Sequence, residues 1–238
     1  MSACPNCGAA RDPSHRFCPD CGARLDAQRE LKQVTVLLAD LCGSTEQVVR
    51  TDAEGGQAYL DEALRLMSEA VNAYGGTQIQ WRGDELLALF GAPVAQEDHA
   101  LRACLAAIAM AEAMKAQSSP ETPMAVRIGI DSGEVVAGPG SGHLATSYRV
   151  DGAPVHLASR LEKLAPPACT YISGTTQQLV HGQLETRGLG PFNLRGFDAP
   201  VEIHELLGGL QDSAAGPLAR RRFLGPLVGR AQALSELM

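Results

Sequence analysis

GGTQIQWRGDELLALFGAP, residues 75–93, carries a glycine pair, two apolar β-rich runs and a polar turn in succession. Residues 77–81 and 85–90 have the composition of strands, and Arg82-Gly83-Asp84 between them has the chemistry of a turn. The expectation is a hairpin with an acidic residue, Asp84, at its tip. The Gly75-Gly76 pair also ends what comes before. Across 57–74, Leu60, Ala63, Leu64, Met67, Ala70, Val71 and Tyr74 recur at helical spacing, the stripe of a helix laid on a core.

Working outward, QVTVLLAD (33–40) reads as a strand ending at Asp40, followed by the loop residues CGST. Downstream, 96–117 is an Ala- and Leu-rich helix closed by a Ser-Ser-Pro loop. AVRIGIDSGEVVAG (125–138) reads as two strands flanking a Ser132-Gly133 turn, and a glycine-rich loop over 138–142 leads to SYRVDG. Residues 153–164 form a helix with His156 and Arg160 four apart on one side, ended by Pro166-Pro167. Short strands and a helix follow, down to VEIHEL (201–206). Helices interspersed with hairpins in this order predict an α+β fold, helices covering an antiparallel-rich sheet.

The N-terminus is a different unit. CPNCG and CPDCG place Cys4, Cys7, Cys18 and Cys21 as a doubled C-x-x-C, the spacing of a zinc ribbon. Four thiolates complete a tetrahedron with no open position, so one Zn²⁺ is expected in a structural role, replacing a core that about 22 residues cannot build. A redox pair would suit a single C-x-x-C better, and His15 reads as a surface residue. The remaining cysteines, Cys42, Cys104 and Cys169, are expected as free thiols.

Composition narrows the function. A net charge of −7, 45% hydrophobic and 20% charged residues describe a globular protein without the excess of Lys and Arg that nucleic-acid backbones or anionic membranes require. No run approaches the roughly 20 apolar residues of a membrane span, and no secretory signal opens the chain. A soluble, cytoplasmic protein is the expectation, with no nucleic-acid or membrane partner. An anionic ligand then needs a local cationic pocket.

Taken singly, Asp40 and Asp84 are turn-capping residues. Taken together, LLADLCGST, GGTQIQWRGDELLALFGAP with EDHALRA behind it, RIGIDSGEVVAG and VHLASRLE stand in one order and spacing. Over 33–207 this resembles the class III adenylate and guanylate cyclase family, above all bacterial members with a zinc ribbon in front and an ATPase region behind. The resemblance implies a ferredoxin-like βααββαβ core and a head-to-tail homodimer with each active site at the interface. It implies cyclisation of a nucleoside triphosphate, ATP to 3′,5′-cyclic AMP and pyrophosphate, with cyclic GMP as the lesser alternative product. By motif, Asp40 and Asp84 hold two Mg²⁺ or Mn²⁺ ions, Leu41 adds a backbone carbonyl, and the N–H groups of the 42–45 loop, Gly43, Ser44 and Thr45 among them, receive phosphate oxygens. Arg160, from the partner chain, matches the arginine that stabilises charge on the α-phosphate, and Arg195 matches a residue binding the terminal phosphates.

Three positions depart from the family pattern. Gln80 stands where adenine-selecting members carry lysine, Arg149 where they carry its partner aspartate, and His156 where an asparagine orients the ribose. Imidazole still donates a hydrogen bond. Arg82 and Asp151, each two residues further along its strand and so on the same face, form a conceivable substitute pair. The plainer reading makes Arg82 a turn residue and Asp151 a helix N-cap. An alternative function follows from the same departures: a degenerate cyclase-like module that binds nucleotide or metal without turnover. The expected layout is a ribbon over 1–26, a cyclase domain over 27–207 and a linker over 208–238. In that linker GPLVGRAQALSEL resembles the opening of an ATPase domain but lacks a phosphate loop.

Overall fold

The computed structural model describes residues 2–4, 7–12, 15, 17–22, 29–139 and 148–209. The expected glycine-rich loop beyond 139 and the segment resembling an ATPase opening lie outside them. Two two-residue strands, β1 (Ser2–Ala3) and β2 (Ala10–Arg11), pair antiparallel in the N-terminal segment. Then come β3 (Glu30–Leu41), α1 (Ser44–Arg50), α2 (Ala53–Ala73), β4 (Thr77–Arg82), β5 (Glu85–Phe90), α3 (His99–Gln117) and β6 (Val126–Pro139). These are followed by β7 (Tyr148–Asp151), α4 (Ala153–Leu164), β8 (Thr170–Ser173), α5 (Gly174–Val180), β9 (Leu184–Phe192) and β10 (Val201–Gly209).

Among the described residues the large sheet runs β4-β5-β3-β6-β8-β10-β9, with β7 paired on β6. β3 pairs antiparallel with β5 and β6, as do β4 with β5, β6 with β7 and β8 with β10, whereas β6 and β8 run parallel. Strand β3 sits at the centre, and Val34 to Ala39 are all buried. Alternation splits their side chains between two cores. Leu37, Ala39 and Leu41 pack with α2 and α3 residues such as Met67, Val71, Ala103 and Met110 on one face. Val34, Val36 and Leu38 pack with Val135 and with Ala158 of α4 on the other. The α+β architecture expected from the order of elements is the one present.

Helix α4 lies directly on β6 because of Gly129. A Cβ there would stand 2.1 Å from the Ala158 carbonyl oxygen and 2.3 Å from the Glu162 nitrogen, so only glycine admits this approach. That contact fixes where α4 presents His156, Arg160 and Glu162.

Three expectations are corrected. No turn occurs at Ser132-Gly133: β6 is one strand paired with β3 from Glu30↔Ala137 to Leu41↔Val126. The long partner outweighs local turn chemistry, and the buried Ser132 hydroxyl is satisfied by Thr35 Oγ1 at 2.7 Å and Thr176 Oγ1 at 2.9 Å. Second, the loop after Asp40 is short, since Gly43, in the left-handed region at φ 71°, starts α1 at Ser44. Third, Asp151 is not the N-cap of α4. Gly152 occupies that position, and the Asp151 carboxylate accepts from Arg29 at 3.0 Å. Elsewhere boundaries move by a few residues; α2 starts at Ala53 because the Asp52 carboxylate caps it, accepting from the Gly55 N–H at 2.8 Å. No helix among the described residues is long and apolar enough to cross a membrane.

Candidate active site

The two expected metal-binding carboxylates meet through strand register. Asp40 lies opposite Glu85 in the β3–β5 ladder, so the turn between β4 and β5 carries Asp84 to the position next to it. Gly83 takes φ 66° in that turn with nothing near its Cβ position, so the backbone alone calls for glycine. Ser44, at the start of α1, donates its hydroxyl to Asp84 Oδ2. Leu41, whose backbone carbonyl the motif offers as a ligand, ends β3 opposite Val126 with its side chain buried. The Cys42 N–H is already spent on the Ala125 carbonyl at 2.8 Å, so it is not free to receive a phosphate oxygen.

Arg127 is a residue the sequence reading missed. It faces Asp40 across the β3–β6 ladder and donates Nε and Nη2 to Asp40 Oδ2 at 3.0 and 2.7 Å. The same guanidinium stands 2.6 Å from Glu162 Oε1 on α4, in a side chain only 1% exposed. Its N–H vectors serve Asp40, so Oε1 gains a charge contact but no aligned hydrogen bond. Burial pushes the Glu162 carboxyl up to about 7 against the pull of Arg127. Burial likewise raises Asp40, opposed by its Arg127 hydrogen bonds and reinforced by the charge of Asp84. Two carboxylates, Asp40 and Glu162, thus share one guanidinium, with Asp84 near enough to Asp40 for its charge to be felt. Carboxylate oxygens are the donors that hard divalent cations prefer, so Asp40 and Asp84 are the residues that could hold such ions here.

The cationic residues assemble elsewhere in the same unit. Ala153, His156, Arg160, Arg195, Gly196 and Phe197 line a cleft of about 280 Å³. Arg160 and Arg195 have no ion pair among the described residues. A second cleft of about 200 Å³ is walled by Leu38, Leu87 and Val155 and edged by Gln80, Arg82, Glu85, His156, Ser159 and Lys163. His156 belongs to both, joining them. Asp40 and Asp84 line neither. Arg149 is exposed on β7, paired with Gly138, and lines neither cleft.

In the N-terminal segment the four cysteine sulfurs lie within 4.8 Å of one another, with Cys4–Cys21 at 3.7 Å and Cys7–Cys18 at 3.6 Å. Four sulfurs each about 2.3 Å from one Zn²⁺ in a tetrahedron stand about 3.8 Å apart, so the cluster is compatible with a zinc ribbon. Gly8 and Gly22, at φ 77° and 70°, turn their N–H groups back to the Cys4 and Cys18 carbonyls, each at 2.9 Å.

The adenylate and guanylate cyclase catalytic domain model matches residues 27–208. Adenylate cyclase 1 of Rhizobium meliloti (strain 1021) is 31% identical over 184 residues, covering 74% of this chain and 28% of that protein. The chain therefore spans under a third of that relative. Among solved structures, the adenylyl cyclase CyaB from P. aeruginosa superposes with a TM-score of 0.71 at 31% identity, over 78% of this chain and 98% of that one. The guanylate cyclase domain of RhGC from Catenaria anguillulae, in complex with GTP, gives 0.70 at 25% identity, over 76% and 100%. With a paired carboxylate edge, a cationic cleft and matches to both kinds of cyclase, the chain belongs to the class III adenylate and guanylate cyclase catalytic domain family.

Proposed function

We propose that this domain converts ATP to 3′,5′-cyclic AMP and pyrophosphate in a site completed between two head-to-tail copies of the chain. The observation carrying this reading is the meeting of Asp40 and Asp84 where the β3–β5 ladder ends, outside the lining of the cleft that holds Arg160 and Arg195. Class III cyclases use divalent metals and act as dimers; a site drawing carboxylates from one copy and arginines from the other accounts for the separation.

In the reaction the ribose 3′-oxygen loses its proton and bonds the α-phosphorus, while the bond to the pyrophosphate oxygen breaks. Two Mg²⁺ or Mn²⁺ ions, when bound, supply acidification of the 3′-hydroxyl and neutralisation of the triphosphate. Asp40 and Asp84 hold them, with the Leu41 carbonyl as a further oxygen. Gly43, Ser44 and Thr45 present backbone N–H groups to phosphate. Arg160 offsets charge growing on the α-phosphate oxygens, Arg195 binds the terminal phosphates, and His156, at the junction of the clefts, orients the ribose. Gln80 and Arg149 take the motif positions for base reading. The N-terminal cysteines hold one structural Zn²⁺, and we place the ribbon in 1–26, the cyclase domain in 27–207 and a linker toward an ATPase region in 208–238. A cytoplasmic setting suits four cysteines kept as metal ligands.

A second reading, nucleotide or metal binding without turnover, draws support from the position of Arg149 outside both clefts. Assay of the purified chain with ATP or GTP and Mg²⁺ or Mn²⁺, detecting cyclic product directly, separates the two. Cyclic AMP above a no-enzyme control supports the cyclase; nucleotide binding with no cyclic product supports the second reading.

A further inference from the structure

We propose that the purine base is read by Arg82 and Glu85, and that this pair admits guanine, making GTP a second substrate; the proposal rests on the cyclase reading above. The relevant cleft has the make-up of a base slot. Leu38, Leu87 and Val155 give it apolar walls on which a flat heterocycle can lie, and Gln80, Arg82 and Glu85 bring polar groups to its rim. All three come from one hairpin. Arg82 and Glu85 are register partners across β4 and β5. Neighbouring opposite charges would be expected to neutralise each other, yet the two form no ion pair or hydrogen bond among the described residues. Both therefore reach the cleft with their hydrogen-bonding capacity unspent.

The chemistry of the two edges decides which base gains more. Adenine offers one amino donor and ring-nitrogen acceptors, so a carboxylate meets it through one hydrogen bond. Guanine presents N1–H and N2–H side by side, which a carboxylate such as Glu85 accepts in parallel, and O6 and N7, which an arginine fork such as Arg82 engages together. Gln80 is neutral between the bases, because its amide can offer either its oxygen or its nitrogen. Arg149 does not reach this cleft. The carboxylate in the rim therefore contributes more to GTP than to ATP.

The test measures kcat and KM for ATP and GTP with Mn²⁺ in the full chain and in Glu85→Ala, Glu85→Gln, Arg82→Ala and Arg149→Ala. Calorimetric binding of 3′-deoxy-ATP and 3′-deoxy-GTP, which cannot cyclise, runs in parallel. The wild type should use GTP with kcat/KM within about tenfold of ATP. Glu85→Ala should lower kcat/KM for GTP about tenfold or more, chiefly through KM, and for ATP by less than about threefold. Glu85→Gln, which keeps the size of the side chain, should follow it with its fold intact. Should the wild type cyclise neither nucleotide while 3′-deoxy-GTP binding still depends on Glu85, the cyclase reading falls and base reading by this pair stands. A wild type that cyclises ATP but neither binds 3′-deoxy-GTP nor responds to Glu85 overturns the proposal, as does a shift in base preference caused by Arg149→Ala and not by Glu85→Ala.

Discussion

At the carboxylate edge Asp40 and Glu162 share one guanidinium, whereas in the cationic cleft Arg160 and Arg195 have no ion partner among the described residues. The first region carries its own counter-ion. Arg127 offsets the charge of two crowded acids, at the cost of leaving Glu162 Oε1 without an aligned donor. The second region leaves its positive charge uncompensated in a chain whose net charge is −7. An acidic protein that holds two unpaired arginines around one cleft is arranged to receive an anion there, and the triphosphate is that anion under the proposed function. The difference separates the arginines: Arg127 supports the fold and the carboxylates, while under the proposed function Arg160 and Arg195 receive the triphosphate.

The sharpest way to break this contrast is to damage each region in a different chain. Asp40→Ala should lower turnover by about a thousandfold or more, since metal assistance supplies several kcal/mol to such a reaction. Arg160→Ala should be similarly inactive. If the two regions serve one site from different chains, equal mixtures of the variants should regain about a quarter of wild-type activity. Half the dimers are then mixed, and each has one intact site of two by the two-fold symmetry of the pair. Absence of rescue despite demonstrated subunit exchange would place both regions in one chain's site.

A smaller effect separates the arginines by stability. Arg127→Ala strips the counter-ion from the buried Glu162 and should lower unfolding free energy by about 3 kcal/mol, the low side for a broken buried pair because Arg127 is itself 36% exposed. Arg160→Ala breaks no ion pair among the described residues and should stay within about 0.5 kcal/mol of the wild type. Denaturant titration of both variants checks this. Equal losses would mean that Arg160 is also a structural residue.

The two regions also differed in how far they could be read from sequence. Asp40, Asp84, His156 and Arg160 were legible through the ordered motifs that resemble a cyclase, since each acid taken alone reads as a turn cap. Arg127 and Glu162 gave no comparable signal. Their meeting needs the β3–β6 register that sets Asp40 opposite Arg127, and the descent of α4 onto Gly129, both long-range. Ser132-Gly133 reads locally as a turn, but twelve consecutive register pairs with β3 override it. The seven residues of α1 are too few to show a periodicity. That Arg82 and Glu85 share a cleft while Arg149 does not follows from side-chain placement, which motif position alone cannot supply.

The finest test of the contrast uses pH, because, of the two regions, it is the carboxylate edge that holds an acid displaced to about 7, Glu162. Burial raises Glu162 from 4.5 in the open chain to about 7 in the folded protein. The folded state therefore keeps a proton that the unfolded state has already lost between those values. The stability associated with that proton is fully present below pH 4.5 and declines as pH rises through 7. The whole shift corresponds to about 3 kcal/mol, and relaxation around the charged group should reduce the measured change to about 1–2 kcal/mol. Glu162→Gln, which cannot ionise and leaves Arg127 on Asp40, should remove this decline. The quantity to follow is the difference in unfolding free energy between Glu162→Gln and the wild type from pH 5 to pH 8, which should rise steadily in favour of the variant. Parallel curves would mean that Glu162 is already ionised at pH 5, and that the guanidinium of Arg127 fully offsets the cost of burying it.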